Sequence, residues 1–250
     1  MAPPAARNHQ PGANRLLTLL PGDEYARLRP DLEAITLTRK QILARPDEAY
    51  THVHFPTAGV VSVLVPMGEE QSIEAAVIGY EGLVGVPIVL GSDSGPHEVI
   101  CQVNGGGWRM PVRRFQDHLQ ESPSLRAMAQ RYALAFLNQT ARSSACNRMH
   151  DIHQRLARWL LLVHDRVAGD EFGLTQEYLS EMLGVRRPSV SLAAQTLQNA
   201  GLITYRWGRI SVLDRRGLEG AACDDYRQTV TEYENTFNPN KDGQLKNTAR

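Results

Sequence analysis

The stretch Leu174-Thr-Gln-Glu-Tyr-Leu-Ser-Glu-Met-Leu-Gly-Val-Arg-Arg-Pro-Ser-Val-Ser-Leu-Ala-Ala-Gln-Thr-Leu-Gln-Asn-Ala-Gly-Leu-Ile203 decides how the rest of this 250-residue chain is read. Thr175, followed by Glu177, opens a short helix: the hydroxyl satisfies an otherwise free amide, and the acid suits the positive end of the helix dipole. Tyr178, Leu179, Met182 and Leu183 share its apolar face. Gly184 supplies the left-handed residue that lets the chain reverse at once, and Pro188 falls in the first turn of the next helix, where a missing amide costs little. Two helices joined by so tight a turn make a helix-turn-helix.

In the second helix Val190, Ala194 and Leu197 take the buried side, which leaves Arg187, Ser191 and Gln195 on the opposite one, with Arg186, Ser189 and Leu192 beside them. Arg can grip guanine with two donors, Gln pairs with adenine, and Ser reaches a base or a phosphate. That composition suits the major groove of double-stranded DNA better than the mixed solvated face of an ordinary helical hairpin. Gly201 to Arg206 and Arg209 to Leu213 then read as two strands joined at Trp207-Gly208. This hairpin is a wing, with Arg206 and Arg209 at its tip where phosphates are within reach.

Charge is distributed accordingly. The net charge is +0, but residues 14–120 carry 13 acids against nine Lys and Arg, whereas residues 174–216 carry three acids against six Arg. An acidic front and a basic back are expected if only one end meets phosphate.

Upstream, residues 35–111 consist of short β-branched runs punctuated by Gly and Pro, with turn signals at Pro56–Gly59, Pro66–Gly68, Gly91–Pro96 and Asn104–Gly107. This texture predicts an antiparallel sandwich or roll. Pro21-Gly22 breaks a preceding helical pattern, and Met1–Ala13, rich in Pro and Ala, reads as a disordered arm. Between Pro123 and Arg148 the glycines stop, and Leu125, Met128, Tyr132, Ala135, Gln139, Arg142 and Cys146 recur at three- and four-residue steps. That stripe predicts one long helix that pairs with a copy of itself. A further helix carries Ile152, Leu156, Trp159, Leu160 and Val163 and ends near Gly169.

The fold class is therefore α+β, organised as an arm (1–13), a β jelly-roll sensor (14–122), a dimerisation helix (123–148), a winged helix-turn-helix (149–216), and a C-terminal helix with a disordered tail (217–250). Cys101, Cys146 and Cys223 stand far apart in sequence and match neither a disulfide framework nor a CxxC metal motif. No apolar run approaches a membrane span and the N-terminus lacks signal-peptide character, so the expected compartment is the cytoplasm.

The β-rich front, the long helix, and Leu179-Ser-Glu-Met-Leu-Gly-Val-Arg-Arg-Pro-Ser-Val190 with Gln198-Asn-Ala-Gly-Leu-Ile203 are together similar to the Crp/Fnr family of bacterial transcription regulators. The resemblance covers nearly all of residues 14–214. It implies a cyclic-nucleotide-binding-like jelly roll, a homodimer along the long helix, a palindromic promoter site on double-stranded DNA, contact with RNA polymerase, and no catalytic activity. Family members commonly read bases with an Arg, a Glu one residue later and an Arg four residues beyond that. Here Arg187 matches, but Pro188 and Leu192 take the other two positions, which implies a different half-site.

The sensor departs further. Cyclic-nucleotide binders of this family hold the ribose with a Glu in a Gly-Glu-Leu turn and the phosphate with an Arg about ten residues later. Along Gly79-Tyr-Glu-Gly-Leu83 the expected Glu is Leu83, and no Arg occurs between Gly79 and Trp108. A buried phosphate would lack its charge partner, so cyclic AMP is not expected to bind. Gly79, Glu81, Gly82, Leu83 and His97 remain the candidate lining of a pocket for an unknown effector. Three scattered cysteines do not supply the four thiolates of an iron–sulfur cluster, and no cofactor is assigned.

A rival reading starts from His52 and His54, whose alternation puts both imidazoles on one face of a strand. With His97 and Glu74 or Glu81 they would make a metal site of the cupin kind, used for sensing or catalysis. The basic winged segment has no role in that reading.

Overall fold

The structure, a computed structural model, describes residues 12–68 and 72–237. The arm at residues 1–11 and the tail at 238–250 lie outside the described residues.

Two short helices, α1 (Arg15–Thr18) and α2 (Gly22–Leu28), lead into the strands β1 (Glu33–Leu37), β2 (Ile42–Ala44), β3 (His52–Pro66) and β4 (Ser72–Ile78), a short α3 (Val86–Val89), and β5 (Glu98–Pro111). Helix breaking at Pro21-Gly22 follows the sequence expectation. Asn14 is buried where the ordered chain starts. Its Oδ1 accepts from Leu16 and Leu17 to cap α1, and its Nδ2 donates to the carbonyls of Pro56 and Gly82, 2.8 Å each, which ties the entry of the chain to the roll.

The strands form one antiparallel sheet in the order β1-β5-β3-β4, with β2 on β5. Pro56–Gly59 and Asn104–Gly107, expected as turns, are bulges inside two long paired strands of 15 and 14 residues. The register shifts at Pro56/Ala58, Ala58/Val60 and Val60/Val61, and the pair bends there. Glycine is required at the bend: a Cβ on Gly105 would stand 2.0 Å from the Ala58 carbonyl oxygen, and Gly59 has φ +88°. Bulges curl a sheet without ending a strand, which explains why turn residues here mark curvature.

After β5 come α4 (Val112–Glu121), α5 (Pro123–Met149) and α6 (Ile152–His164). The long helix is where the sequence placed it, with Ser122 capping its first turn. Its predicted stripe, however, faces its own chain. Leu125, Tyr132 and Ala135 sit in the core of the roll, Gln139 donates to the Val77 carbonyl at 2.9 Å, and Arg142 pairs with Glu232. The exposed side is instead Ala127, Gln130, Arg131, Leu134, Leu137, Ala141, Ser144, Ala145 and Arg148.

The remaining elements are β6 (Glu171–Gly173), α7 (Gln176–Leu183), α8 (Arg187–Asn199), β7 (Ile203–Arg206), β8 (Arg209–Val212), α9 (Arg215–Ala221) and α10 (Asp225–Phe237). Strand β6 was not foreseen: it adds to the predicted hairpin in the order β6-β8-β7. The C-terminal helix is not an appendage, since Tyr233 and Phe237 enter the same core as Leu125 and Tyr132. A second core runs without interruption from Val60, Leu64 and Val77 of the sheet through α6 to Leu179, Val190, Ile210 and Leu218.

Candidate nucleic-acid interface

Thr175 accepts from the Tyr178 amide, so α7 starts on the cap its sequence promised. It ends at Gly184, which adopts φ 60°, ψ 39°, while the Val185 amide reaches back to the Ser180 carbonyl at 3.0 Å. That closure leaves two residues before α8. Arg186 is its N-cap, with extended backbone and no side-chain cap, and Pro188 lies in the first turn. Pro188 has no amide hydrogen and the Ser189 amide donates to the Arg186 carbonyl at 2.9 Å, so no side chain caps this end of α8, the end where a helix favours an anion.

Val190, Ala193, Ala194 and Leu197 are buried, which fixes the rotation of α8. Arg186, Arg187, Leu192 and Gln195 are exposed, Leu192 at 61%, and Ser189 and Ser191 are half-buried. Ser191 is partly committed: its hydroxyl is 2.9 Å from Gln176 Oε1 and 3.1 Å from the Arg187 carbonyl. The contact locks the first turn of α7 to α8 and turns the Gln176 amide group toward the same side as Arg187.

The wing projects beside this face. Trp207 and Gly208 have φ 49° and 73°, the two positive values that a tight two-residue hairpin turn requires. Glycine takes such a conformation freely, but an indole-bearing residue is strained there by roughly 1–2 kcal/mol. Trp207 is nonetheless 99% exposed. Strain and full exposure of a large apolar ring coincide at a position that the sequence presents only as a turn. Thr175, Gln176, Arg187, Tyr205, Trp207 and Gly208 line a recess of about 310 Å³ between α8 and the wing.

Arg206 is exposed, whereas Arg209 is paired with Glu171 on the unforeseen strand β6. Of the two arginines expected at the wing tip, one already has a carboxylate partner.

The residues expected to line an effector pocket make contacts within the chain itself. Glu81 is buried in an ion pair with Arg166, 2.7 Å from its Nη2, and accepts from the Gly79 amide at 3.1 Å. Arg166 lies outside Gly79–Trp108, the stretch in which no Arg occurs, and its guanidinium is committed to Glu81 and the Leu162 carbonyl. Leu83 is fully buried, and Tyr132 packs so closely on Gly82 that a Cβ there would lie 2.2 Å from the phenol oxygen. His97 is half-buried just before β5.

His52 and His54 do share a strand face, with ring centroids 6.2 Å apart. Burial of His54, helped by His52 and Arg109, lowers its pKa to about 4 and keeps it neutral. Glu74 is occupied by Ser62 Oγ and Trp159 Nε1 at 2.5 and 2.6 Å, and Glu81 by Arg166. Among the described residues, these two histidines, His97 and the two glutamates do not converge into a metal-binding group; the group of three that does is Cys146, Cys223 and Asp225. The cupin-like reading is therefore not favoured. Among the described residues no helix is long and apolar enough to cross a membrane.

Comparison with known proteins agrees with this geometry. Residues 154–221 match the family model of the Crp-like helix-turn-helix domain. No curated protein matches the chain in sequence. Among solved structures, a Crp/Fnr-family transcriptional regulator from Eubacterium rectale aligns over 82% of this chain and 96% of its own, at 15% identity and a TM-score of 0.64. FixK2 from Bradyrhizobium japonicum aligns over 77% and 98%, at 13% identity and a TM-score of 0.65. A CRP-family transcriptional regulator from Thermus thermophilus aligns over 75% and 96%, at 18% identity and a TM-score of 0.62. With the turn at Gly184, the wing at Trp207-Gly208 and the β-roll in front of them, the chain shares the fold of solved Crp/Fnr-family regulators, and its residues 154–221 match the Crp-like helix-turn-helix domain.

Proposed function

We propose that this chain is a sequence-specific DNA-binding regulator that acts as a homodimer on a palindromic promoter site, without cyclic AMP. The observation that carries the reading is the outward face of α8, where Arg187 stands exposed beside the recess that the wing closes. Arg187 reads a base, Gln195 and Leu192 offer an amide pair and an apolar contact to neighbouring bases, and Arg186, Ser189 and Arg206 meet the backbone. The cytoplasm, with RNA polymerase as the protein partner, is the setting this function requires.

A palindrome needs two reading heads about 34–36 Å apart and related by a two-fold axis. The exposed side of α5 suits that role: Leu134 and Leu137 are 59% and 62% exposed, and Ala127, Ala141, Ser144 and Ala145 continue the stripe with side chains small enough for close helix approach. Independence from cyclic AMP is supported by the Glu81–Arg166 pair and by Tyr132 against Gly82, because a nucleotide would have to break a buried ion pair and displace a core ring to enter.

Selection of bound sites from a random DNA pool with the full-length protein tests the whole reading. A recovered palindrome with half-sites one turn apart is expected, unchanged by added cyclic AMP. An asymmetric site would remove the dimer, and no enrichment would remove the DNA-binding function.

A further inference from the structure

Cys146 lies in the last turn of α5 and Cys223 just before α10, 77 residues later, yet their sulfurs are 3.5 Å apart and both residues are buried. Asp225, the first residue of α10, turns its carboxylate to the same point: one ligand atom from each of the three side chains falls within 4.8 Å of the others. His150, the C-cap of α5, holds that carboxylate from outside, its Nε2 3.1 Å from Asp225 Oδ2. We propose that Cys146, Cys223 and Asp225 form a binding site for one thiophilic divalent cation, zinc foremost, with His150 fixing Asp225 in place.

The spacing decides between two uses of a thiol pair. Sulfurs in a disulfide are about 2.05 Å apart, whereas two thiolates each about 2.3 Å from a tetrahedral ion stand about 3.8 Å apart. The observed 3.5 Å is close to the second value without any movement of the helices. The acid points the same way. A carboxylate turned toward two thiols opposes their ionisation and has no part in a disulfide, but it becomes a ligand once a cation lies between them. The hydrogen bond from His150 is the kind of outer-shell support that ligating carboxylates usually have.

The surroundings balance the charge. Two thiolates, one carboxylate and a divalent ion sum to one negative charge. Arg158 is buried beneath them, with its Nε lacking a hydrogen-bond partner and no carboxylate ion pair among the described residues. The site also lies at the carbonyl end of α5, where the helix dipole favours a cation. Such an ion would tie the end of the long helix and the His150-Asp151 junction to α10, at the point where α5 gives way to the DNA-reading domain.

The test uses the full chain, stripped with chelator under reductant and titrated with cobalt(II), then zinc. One equivalent of cobalt is expected, with a near-ultraviolet sulfur-to-cobalt band and the intense visible bands of a tetrahedral ion, all removed by zinc. Cys146→Ser and Cys223→Ser should each lose most of the sulfur band. His150→Ala should weaken binding by the about 10–100-fold typical of losing an outer-shell partner, and Cys101→Ser should change nothing. If either serine variant fails to fold, Asp225→Asn, which keeps both thiols and the shape of the side chain, carries the test and should weaken binding by more than His150→Ala. The proposal is overturned if the reduced wild type shows no sulfur-to-cobalt band, if the band survives in both serine variants, or if the chain takes up no metal while mild oxidation closes a Cys146–Cys223 disulfide.

Discussion

The indole of Trp159 donates to the carboxyl of Glu74 at 2.6 Å, joining α6 of the helix-turn-helix domain to β4 of the roll. Ser62 holds the other oxygen at 2.5 Å, and burial raises the pKa of Glu74 to about 7 despite both hydrogen bonds. The stability this carboxyl contributes is therefore fully present below its ordinary value of 4.5 and is lost as pH rises through about 7, on the order of 3 kcal/mol. His54 works in the opposite sense. Its pKa is depressed to about 4, so its contribution is present above 6.5 and lost as pH falls through about 4. The two trends offset each other between pH 4.5 and 6.5, and urea unfolding of the wild type should be nearly flat there. Glu74→Gln should unmask a rise of stability with pH across that window. A flat profile in the variant would show that His54 is not held neutral.

Arg187→Ala should cost about 1–3 kcal/mol on the cognate duplex and relax preference at one position per half-site. Arg206→Ala should weaken cognate and scrambled duplexes alike and reduce the salt slope by about one counterion per subunit. Equal weakening of both duplexes by Arg187→Ala would assign it an electrostatic role only.

Because Arg209 is paired with Glu171, Arg209→Ala should affect DNA binding less than Arg206→Ala. Glu171→Gln frees the guanidinium and should raise affinity for all sequences, with a steeper salt dependence, in the same titration.

Trp207→Gly removes a strained positive-φ residue from the wing tip and should leave thermal stability unchanged or slightly raised while lowering DNA affinity. A loss of affinity accompanied by a lower Tm would mean that the indole supports the fold instead.

Leu134→Lys and Leu137→Lys place charges on the exposed side of α5 and should yield a folded monomer in sedimentation at micromolar concentration. Tyr132→Lys, on the buried side, should unfold the chain, since this residue is in the core of the roll.

The helix-turn-helix was legible because each of its signals acts locally: Thr175 caps within its own turn, Gly184 sets its own φ, and Val190, Ala194 and Leu197 fix the rotation of one helix. The rotation of α5 was not legible, since both of its faces repeat at three- and four-residue steps and only tertiary contacts choose between them. Arg166 and Glu81, 85 residues apart, and Cys146 and Cys223 become neighbours only through the packing of α6 and α10. The bulges at Pro56 and Gly107 carry turn residues for a reason that a strand partner alone reveals.

The apolar core shared by Val60, Leu64 and Val77 with Leu179, Val190 and Leu218 means that the roll and the helix-turn-helix have no seam along which to part. Severed at the His150-Asp151 junction, each half would present raw hydrocarbon to water, so the chain should melt as a single cooperative unit and not as two beads on a string. Val190, Ala194 and Leu197 of α8 thus rest on the same interior as the sheet residues Val60, Leu64 and Val77, and a substitution at either end of it should lower the one melting temperature of the whole chain.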